Sequence, residues 1–408
     1  MMLKLHVVVF ALAAFAGSGA VVAQMAHDHH EHKGRETCLD LSLACASTAA
    51  PAFGPDGALW IAARVSNQIF VAKSRDHGQS FTPSVVVTQP SVNLDTGADA
   101  GPKIVVDREG RAIVAYAILR DKKYNGQVFF TRSIDSGKTF SPPSPVTSDL
   151  ESQRFAALAI DSDGAIFSAW LDKRNRAQAN DGGEAYVGAG VAFAWSRDNG
   201  SHFAETRLAH EGTCECCRIG IGFASPGHPV VLFRNIFEGS VRDHAVMTFA
   251  DRDAPGPIFR VSNDDWATNA CPHQGPSLAV TSDGAYHAAW FTAGRARKGL
   301  FYARSLDGGK SFSAPTPIGD PDHAPSRPSL LEAGGKLWLA WKEFDGDRTS
   351  VLIMASHDNG ENWSAPKAIA TTTEDSDHPI LVSDGPHSFL SWQTLKDGYR
   401  LIELEDAS

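Results

Sequence analysis

The 408-residue chain lacks several features that would assign it to common functional classes. It has no glycine-rich phosphate loop, no G-x-S-x-G nucleophile elbow and no H-E-x-x-H zinc helix, which argues against the enzyme classes that these motifs mark. It also lacks an excess of positive charge, because 37 Lys and Arg residues face 47 Asp and Glu residues, for a formal charge of -10. We therefore expect no nucleic acid and no anionic membrane as its partner.

Long apolar runs are missing as well, apart from one at the start of the chain. Residues 1–23 carry a basic residue, Lys4, near their start, continue with an apolar stretch and end in small residues. This order is typical of a secretory signal peptide, and its apolar stretch is too short to span a bilayer. The sequence thus predicts a periplasmic or secreted protein that is not membrane-embedded. Residues 24–42 are His-rich, and we expect a mobile N-terminal segment there.

Cysteine is scarce, and half of it is crowded into one stretch. The six cysteines are at positions 38, 45, 214, 216, 217 and 271. Disulfides form and persist in an oxidising compartment, but the Cys214–Cys217 run is too tight for its members to bridge one another without strain. Several arrangements stay open. Cys271 is bridged to one of the clustered cysteines or remains a free thiol with them. Independently, Cys38 and Cys45 bridge each other or reach the clustered thiols.

An eight-residue pattern, Ser-x-Asp-x-Gly-x-x-aromatic, occurs five times along the chain. It begins at Ser74, Ser133, Ser196, Ser305 and Ser356. The pattern is typical of a β-hairpin turn in which the aspartate accepts backbone N–H groups and the glycine has a positive φ. Aspartates in five separate turns cannot all belong to one catalytic site. We therefore predict a structural role for the five aspartates, Asp76, Asp135, Asp198, Asp307 and Asp358.

A longer repeat runs in phase with these turns. Seven turn glycines are spaced 50 to 63 residues apart, at positions 57, 110, 164, 227, 284, 335 and 385. Seven units with strand-type alternation predict an all-β chain, a β-propeller of seven four-stranded antiparallel blades, with six blades as the alternative. Residues 43–408 would form this single domain. Its last unit stops after three strands, and we expect residues 37–43 to supply the fourth and close the ring.

These turns and the blade repeat resemble those of the Asp-box, or BNR-repeat, sialidase-like proteins over nearly the whole chain after the His-rich segment. The stretches at 214–218, 242–244 and 271–273 are similar to a bacterial exported subfamily whose activity is not established. Sialidases hold a substrate carboxylate with three arginines and use a tyrosine nucleophile and an aspartic acid. The resemblance implies, for an exo-α-sialidase-like glycoside hydrolase, catalytic roles for Arg154, Arg218, Arg327, Asp99 and Tyr186. The family's Arg-Ile-Pro motif is absent, and the corresponding stretch reads Pro51–Pro55.

Propeller geometry predicts where the functional face lies. Each blade runs outward from the central channel, so the residues before every first strand meet on the face opposite the repeated turns. That face should gather polar residues from many blades, namely Asp99, Arg154, Cys216, Cys217, Arg218, Cys271, His273, His323, Arg327, Asp377 and His378. Convergence of so many polar groups at one channel end is the strongest functional signal in the sequence.

Three chemistries compete for this face. Thiolate and imidazole are ligands that soft transition metals prefer, and they favour a copper or zinc site without an organic cofactor. Its expected ligands are Cys214, Cys216, Cys217, Cys271, His273 and His378. Alternatively, the arginines bind a small glycan, with or without cleaving it. In the third case the arginines pair with acidic neighbours, and the face is an interaction scaffold without a small ligand.

Overall fold

The computed structural model describes residues 38, 40–90, 92–97, 99–183 and 185–405. Within these ranges the chain forms seven antiparallel sheets, one short helix, α1 (Arg176–Asp181), and two 3-10 turns, Glu238–Ser240 and Pro321–His323. The expected signal peptide and most of the His-rich segment lie outside the described residues. None of the described helices is long and apolar enough to cross a membrane.

Every sheet is a meander in which consecutive strands pair antiparallel. The first two blades contain β1 (Thr48–Phe53), β2 (Leu59–Val65), β3 (Gln68–Ser74), β4 (Val85–Val86), β5 (Lys103–Val106), β6 (Ala112–Leu119), β7 (Gly126–Ser133) and β8 (Ser144–Pro145). The third and fourth contain β9 (Gln153–Ile160), β10 (Ile166–Asp172), β11 (Ala189–Ser196), β12 (Arg207–Thr213), β13 (Gly220–Ser225), β14 (His228–Arg234), β15 (His244–Asp251) and β16 (Ala254–Arg260).

The remaining three blades repeat this arrangement. Blades five and six contain β17 (Ser277–Val280), β18 (Tyr286–Ala293), β19 (Lys298–Ser305), β20 (Thr316–Ile318), β21 (Ser326–Ala333), β22 (Lys336–Phe344), β23 (Thr349–Ser356) and β24 (Lys367–Thr372). Blade seven contains β25 (Ile380–Ser383), β26 (Ser388–Thr394) and β27 (Gly398–Glu403). The first strands of successive blades contact one another around the ring, and β25 contacts β1. The predicted seven-bladed propeller is confirmed, and the six-bladed alternative is wrong.

The core lies between the blades and is built on the second strands. Six of these strands carry a buried aromatic residue as their fifth or sixth residue, namely Tyr116, Trp170, Phe233, Trp290, Trp341 and Trp392. Burial of one such side chain stabilises a fold by roughly 2–3 kcal/mol. The indole N–H groups of these tryptophans find hydrogen-bond acceptors within the core: Trp170 donates to Asp172 at 2.9 Å and Trp341 to Glu343 at 2.8 Å.

The repeated Ser-x-Asp turns connect the third and fourth strands of five blades and are held by their own side chains. In blade two, Asp135 Oδ1 accepts from Thr139 N at 2.9 Å and from Ser133 Oγ at 2.8 Å. The equivalent aspartate bonds to the residue four positions later in the other four turns. The turn glycine also approaches the preceding blade, since a Cβ on Gly200 would lie 2.6 Å from Ile113 Cγ1.

The segment that we expected to complete blade seven differs from the prediction. Its described residues, Cys38 and 40–43, form no strand, and blade seven has three strands within the described part of the chain. Seven residues of extended strand would span about 23 Å, whereas the Cys38–Cys45 disulfide holds the two Cα atoms 5.5 Å apart. Gln393 Nε2 instead donates to the carbonyls of Leu43 and Ala46, at 3.1 and 2.8 Å.

Candidate functional site

We call the end of the propeller where the chain enters the first strands the mouth face. Asp99 precedes β5, Arg218 precedes β13 and His378 precedes β25, while Arg327 is the second residue of β21. These residues come from four blades and are far apart in sequence. Only circular closure brings them together, as the propeller geometry predicted.

A buried carboxylate, Asp99, is the centre of one group of side chains, which we call the Asp99 cluster. Its Oδ1 accepts from Arg218 Nη1 at 3.0 Å and from Arg327 Nη1 at 2.9 Å, and it lies 3.4 Å from His378 Nε2. Its Oδ2 accepts the backbone N–H groups of Arg218 and Gly275, at 3.2 and 3.0 Å. Four charged or hydrogen-bonding residues from separate blades are thus bonded to one fully buried carboxylate.

The backbone around this cluster has unusual conformations. Gly275 has no room for a side chain, because an added Cβ would lie 2.1 Å from Arg218 Cγ. Phe155, His273 and Arg327 have φ values of 57°, 47° and 57°, in the left-handed region. Such conformations cost about 1–3 kcal/mol each, and they concentrate at functional sites. Arg327 Nη1 also donates to the carbonyl of His273, so two of these residues contact each other.

The third arginine of the predicted set has its own acidic partner. Arg154 forms a bidentate pair with Asp95, with Nε–Oδ2 at 2.6 Å and Nη2–Oδ1 at 3.0 Å. The Arg154 guanidinium also lies over the ring of Phe155, 4.5 Å from its centroid. Asp95 was not among the residues predicted from the sequence. All three arginines are therefore already bound to carboxylates within the described chain.

Tyr186 lies on the long loop between β10 and β11. Its hydroxyl contacts the Asp172 carbonyl at 3.5 Å. Burial and the charges of Glu211 and Asp172 raise the pKa of Tyr186 to about 12. A tyrosine nucleophile needs a lowered pKa, so this environment works against that role.

The four unbridged cysteines form a second group, the Cys cluster, made of Cys214, Cys216, Cys217 and Cys271. Cys214 Sγ lies 3.6 Å from Cys216 Sγ and 3.7 Å from Cys217 Sγ. These three side chains are buried, and their sulfur atoms all lie within 4.8 Å of one another. Cys271 is half-buried and bonds to Cys216 from the loop that enters blade five. The predicted alternative in which Cys271 is bridged does not occur.

The electrostatics of the Cys cluster favour a thiolate. Hydrogen bonds from Cys216 and Cys217 hold the pKa of Cys214 well below its usual range. Arg242 Nη1 donates to Cys214 Sγ at 3.3 Å, and its Nε donates to the Thr268 carbonyl at 2.8 Å. The hydrogen bond with Cys216 also lowers the pKa of Cys271. Hydrogen bonds with Cys214 and Cys217 raise the pKa of Cys216, and burial raises the pKa of Cys217. The cluster thus contains two sulfurs with a lowered pKa, two with a raised pKa and one fixed cation beside them.

Local hydrogen bonds place the cysteines. Cys214 directly follows β12, and its N–H donates to the Arg234 carbonyl at 2.8 Å, which ties it to blade four. The loop that leads to Cys271 is held by the buried carboxylate of Asp243. Asp243 accepts the N–H groups of Asp264 and Asp265 at 2.9 and 3.0 Å. Hydrogen bonds from backbone N–H groups therefore hold both chain segments that carry the cysteines, the one at Cys214 and the loop that leads to Cys271.

The two histidines expected as metal ligands lie beside the cysteines rather than among them. The group with metal-site geometry in the described chain consists of Cys214, Cys216 and Cys217. His378 faces Asp99. His273 lies between the two clusters, where burial lowers its pKa and both Asp99 and Cys217 act on it. The mouth face therefore carries two adjacent clusters, joined through the neighbouring residues Cys217 and Arg218.

Comparison with known proteins supports the fold but shows no family for this chain. The sequence matches no protein-family model and no curated protein. A protein of unknown function from Dyadobacter fermentans is similar in structure, with a TM-score of 0.53 and 17% identity over 78% of this chain and 97% of that one. A PL25 ulvan lyase solved with a sulfated disaccharide unit has a TM-score of 0.58 and 11% identity, over 88% of this chain and 95% of that one.

A leech intramolecular trans-sialidase is also similar, with a TM-score of 0.47 and 11% identity over 89% of this chain and 69% of that one. At such identities a structural likeness shows the fold alone. The comparisons therefore support the propeller fold, which this chain shares with the ulvan lyase.

Proposed function

We propose that this protein is an exported propeller that binds a soft transition metal ion, copper or zinc, at the Cys cluster on its mouth face. The observation that carries the proposal is the triangle of buried sulfurs at Cys214, Cys216 and Cys217, with Cys271 beside it. The expected signal peptide at residues 1–23 would deliver the chain to the periplasm or the medium.

The sulfur spacing supports this assignment. In a tetrahedral centre with metal–sulfur bonds of about 2.3 Å, two ligand sulfurs lie about 3.8 Å apart. The distances from Cys214 Sγ to the other two sulfurs, 3.6 and 3.7 Å, are close to that value. Cys271, which interacts with Cys216 from the loop that enters blade five, is the candidate for the fourth ligand. Thiolates are the ligands that select copper(I) and zinc over harder cations.

Arg242 supports the same assignment from outside the sulfur triangle. A metal bound to several thiolates leaves a net negative charge, and burying that charge is costly unless a cation is near. The guanidinium of Arg242, itself 8% exposed, donates to Cys214 and is fixed by Thr268. Hydrogen bonds of this kind orient and tune ligands in metal centres.

Metal analysis of protein exported to a bacterial periplasm tests the proposal. Copper and zinc are measured by mass spectrometry in the wild type and in the Cys216→Ser/Cys217→Ser variant, after reconstitution with copper(I) or zinc(II). We expect one ion per wild-type chain and loss of at least nine tenths of it in the variant. The matched control is Cys38→Ser/Cys45→Ser, which removes the disulfide and should retain the metal.

Folding of each variant is checked by circular dichroism and by its melting temperature. Protection of the wild-type thiols from alkylation by added metal gives a second measurement that needs no variant. Wild-type protein that takes up neither metal, or a double-serine variant that retains it, would contradict the proposal. Cys271→Ser distinguishes the two metals. The variant should lose zinc, because structural zinc almost always has four ligands, and should retain copper(I), for which three sulfurs remain.

Glycan cleavage, the alternative predicted from the sequence, has less support in the geometry. Arg154, Arg218 and Arg327 are already paired with Asp95 and Asp99, so none is left open for a substrate carboxylate. Asp99 is fully buried and surrounded by donors, which suits a bracing anion rather than an acid. A fluorogenic sialoside assay is expected to show no turnover that depends on Arg327.

A further inference from the structure

Two histidines and one aspartate meet where blade one contacts blade seven, on the face of the repeated turns, which we call the turn face. His77 belongs to the Ser-x-Asp turn of blade one, and Asp384 and His387 belong to the turn between β25 and β26. His77 Nε2 and His387 Nδ1 each lie 3.3 Å from the same oxygen, Asp384 Oδ2. The backbone N–H of His387 donates to Asp384 Oδ1 at 2.8 Å. We call these three residues the seam triad.

The carboxylate of the seam triad lacks an ordinary cation as its partner. The Asp384 side chain is only 9% exposed, and no lysine or arginine of the described residues pairs with it. Burial alone would raise the pKa of Asp384, but its hydrogen bonds with His387 and His77 hold that pKa below its ordinary value. A carboxylate that is so little exposed and still ionised is normally paired with a cation or bound to a metal ion. Its two side-chain partners are imidazoles, the commonest metal ligands in proteins.

Aromatic rings pack beside both imidazoles of the seam triad. The ring centroid of His77 lies 5.1 Å from that of Phe389 and 6.2 Å from that of Phe53. The ring centroid of His387 lies 6.2 Å from that of Phe389. Apolar groups around a polar ligand set limit the access of water and lower the local dielectric, as they do around metal sites. The triad therefore combines three polar ligand groups with an apolar wall on one side.

The other repeated turns show that the contact between blades does not itself require histidine. The position of His77, between the aspartate and the glycine of the turn, is occupied in the other four turns by Ser136, Asn199, Gly308 and Asn359. In blade six, Asn359 Nδ2 donates to Asp283 Oδ2 in the preceding blade at 2.7 Å. An amide thus suffices for a hydrogen bond to this carboxylate position. The two imidazoles at the seam add the capacity to bind a metal ion.

We propose that the seam triad binds a divalent metal ion that prefers imidazole, such as zinc(II), and that this ion crosslinks the first and last blades. In a tetrahedral site with bonds of about 2.0 Å, two ligand atoms lie about 3.3 Å apart. Both nitrogen-to-oxygen distances of the triad have this value. The three ligand atoms are less closely grouped than the sulfurs of the Cys cluster, so the two nitrogens must approach each other. Both imidazoles are about half exposed, and rotation about their side-chain bonds allows that approach.

A crosslink at this place has a structural use. Blade seven has three strands within the described part of the chain, so no fourth strand closes it there. An ion held by one residue of blade one and two of blade seven would add a bond across the seam. The site lies on the turn face and is independent of the Cys cluster on the mouth face.

Thermal unfolding of the full chain with and without zinc(II) tests the site. It is measured in the Cys216→Ser/Cys217→Ser chain, whose Cys cluster cannot compete for the ion, and repeated in the wild type. An ion that binds only the folded state, at about 100 times its Kd, should raise the melting temperature by about 3 °C. We expect this rise, and the loss of most of it in His77→Asn and in His387→Asn. Zinc held by the histidines of residues 24–42 would contribute equally to every variant.

The chain itself indicates which substitutions it tolerates. His77→Asn should fold, because Asn359 occupies the equivalent position in blade six. The matched control is His202→Asn, which removes an exposed histidine from another turn. Asn362, at the equivalent position in blade six, bonds to Asp358 through its N–H and its side chain. The control should retain the full rise with zinc(II). The proposal is overturned if zinc(II) does not raise the melting temperature of the parent chains, or raises it equally in both histidine variants of the seam triad.

Discussion

The two ends of the propeller use aspartate in opposite ways. On the turn face, Asp135 and its four counterparts are solvent-accessible, and each carboxylate bonds to groups of its own turn. On the mouth face, Asp99 is buried and bonds to residues that precede or begin three other blades, Arg218, Gly275 and Arg327. The first arrangement repeats five times with the same bonds. The second occurs once and connects parts of the chain more than 200 residues apart.

This contrast separates fold from function within one molecule. A local bond between an aspartate and its own turn can be repeated wherever the chain needs a hairpin, and losing one copy leaves the others intact. A carboxylate shared between blades, such as Asp99, occurs once, so all of its hydrogen-bond donors lose their acceptor when it is removed. The groups without copies on the mouth face are the Asp99 cluster and the Cys cluster, and the soft metal ion that we propose binds at the Cys cluster.

The largest expected effect is at the mouth face. Asp99→Ala leaves two arginines without their buried partner, and breaking such a buried pair typically costs about 3–5 kcal/mol of unfolding free energy. Asp135→Ala removes bonds at an exposed turn and should cost clearly less. Urea denaturation of both variants measures the difference. An Asp99→Ala variant no less stable than Asp135→Ala would remove the distinction between the two faces.

A glycine pair tests how the repeated turns pack. Gly200→Ala introduces a Cβ at positive φ and against Ile113, which together should cost about 2–4 kcal/mol. Gly164→Ala is the matched control, because its φ is 84° but no atom lies within 4 Å of the added Cβ. It should cost only the conformational term, about 1–2 kcal/mol. Equal melting temperatures for the two variants would contradict the packing role.

Acid should weaken the turn face gradually. Hydrogen bonds from neighbouring side chains and backbone hold the pKa values of Asp76, Asp135, Asp307 and Asp358 at about 2, against an ordinary 3.8. The folded state therefore binds protons less readily than the unfolded state, and this stability is complete above the ordinary pKa and lost as the pH falls towards 2.

Urea unfolding midpoints measured between pH 6 and pH 2.5 follow that loss. Replacement of Asp135, Asp307 and Asp358 by Asn should reduce the slope of the midpoint against pH below pH 4. A slope that is the same in the triple variant and the wild type would show that other carboxylates govern the acid response.

Most of the fold was predictable because it is periodic. The turn glycines and the Ser-x-Asp pattern recur in phase, and each copy strengthens the inference from the others. The fourth strand of blade seven was not predictable in the same way. Only one copy of the closing segment exists, and the Cys38–Cys45 disulfide, left open by the sequence, turns it back on itself.

The candidate site was predictable in location but not in pairing. Circular geometry placed Asp99, Arg218 and Arg327 on one face, yet the sequence could not show that one carboxylate binds both arginines. Asp95, the partner of Arg154, was missed because it lies in a loop without a motif.

The central claim is that four thiols remain unbridged and meet at one place. It is tested most directly by counting thiols in protein exported to the periplasm, denatured without reductant, stripped of metal and alkylated before mass spectrometry. The account predicts four alkylated cysteines, at 214, 216, 217 and 271, with 38 and 45 protected as a disulfide. Recovery of Cys271 in a disulfide with any cysteine of the 214–217 run would contradict it.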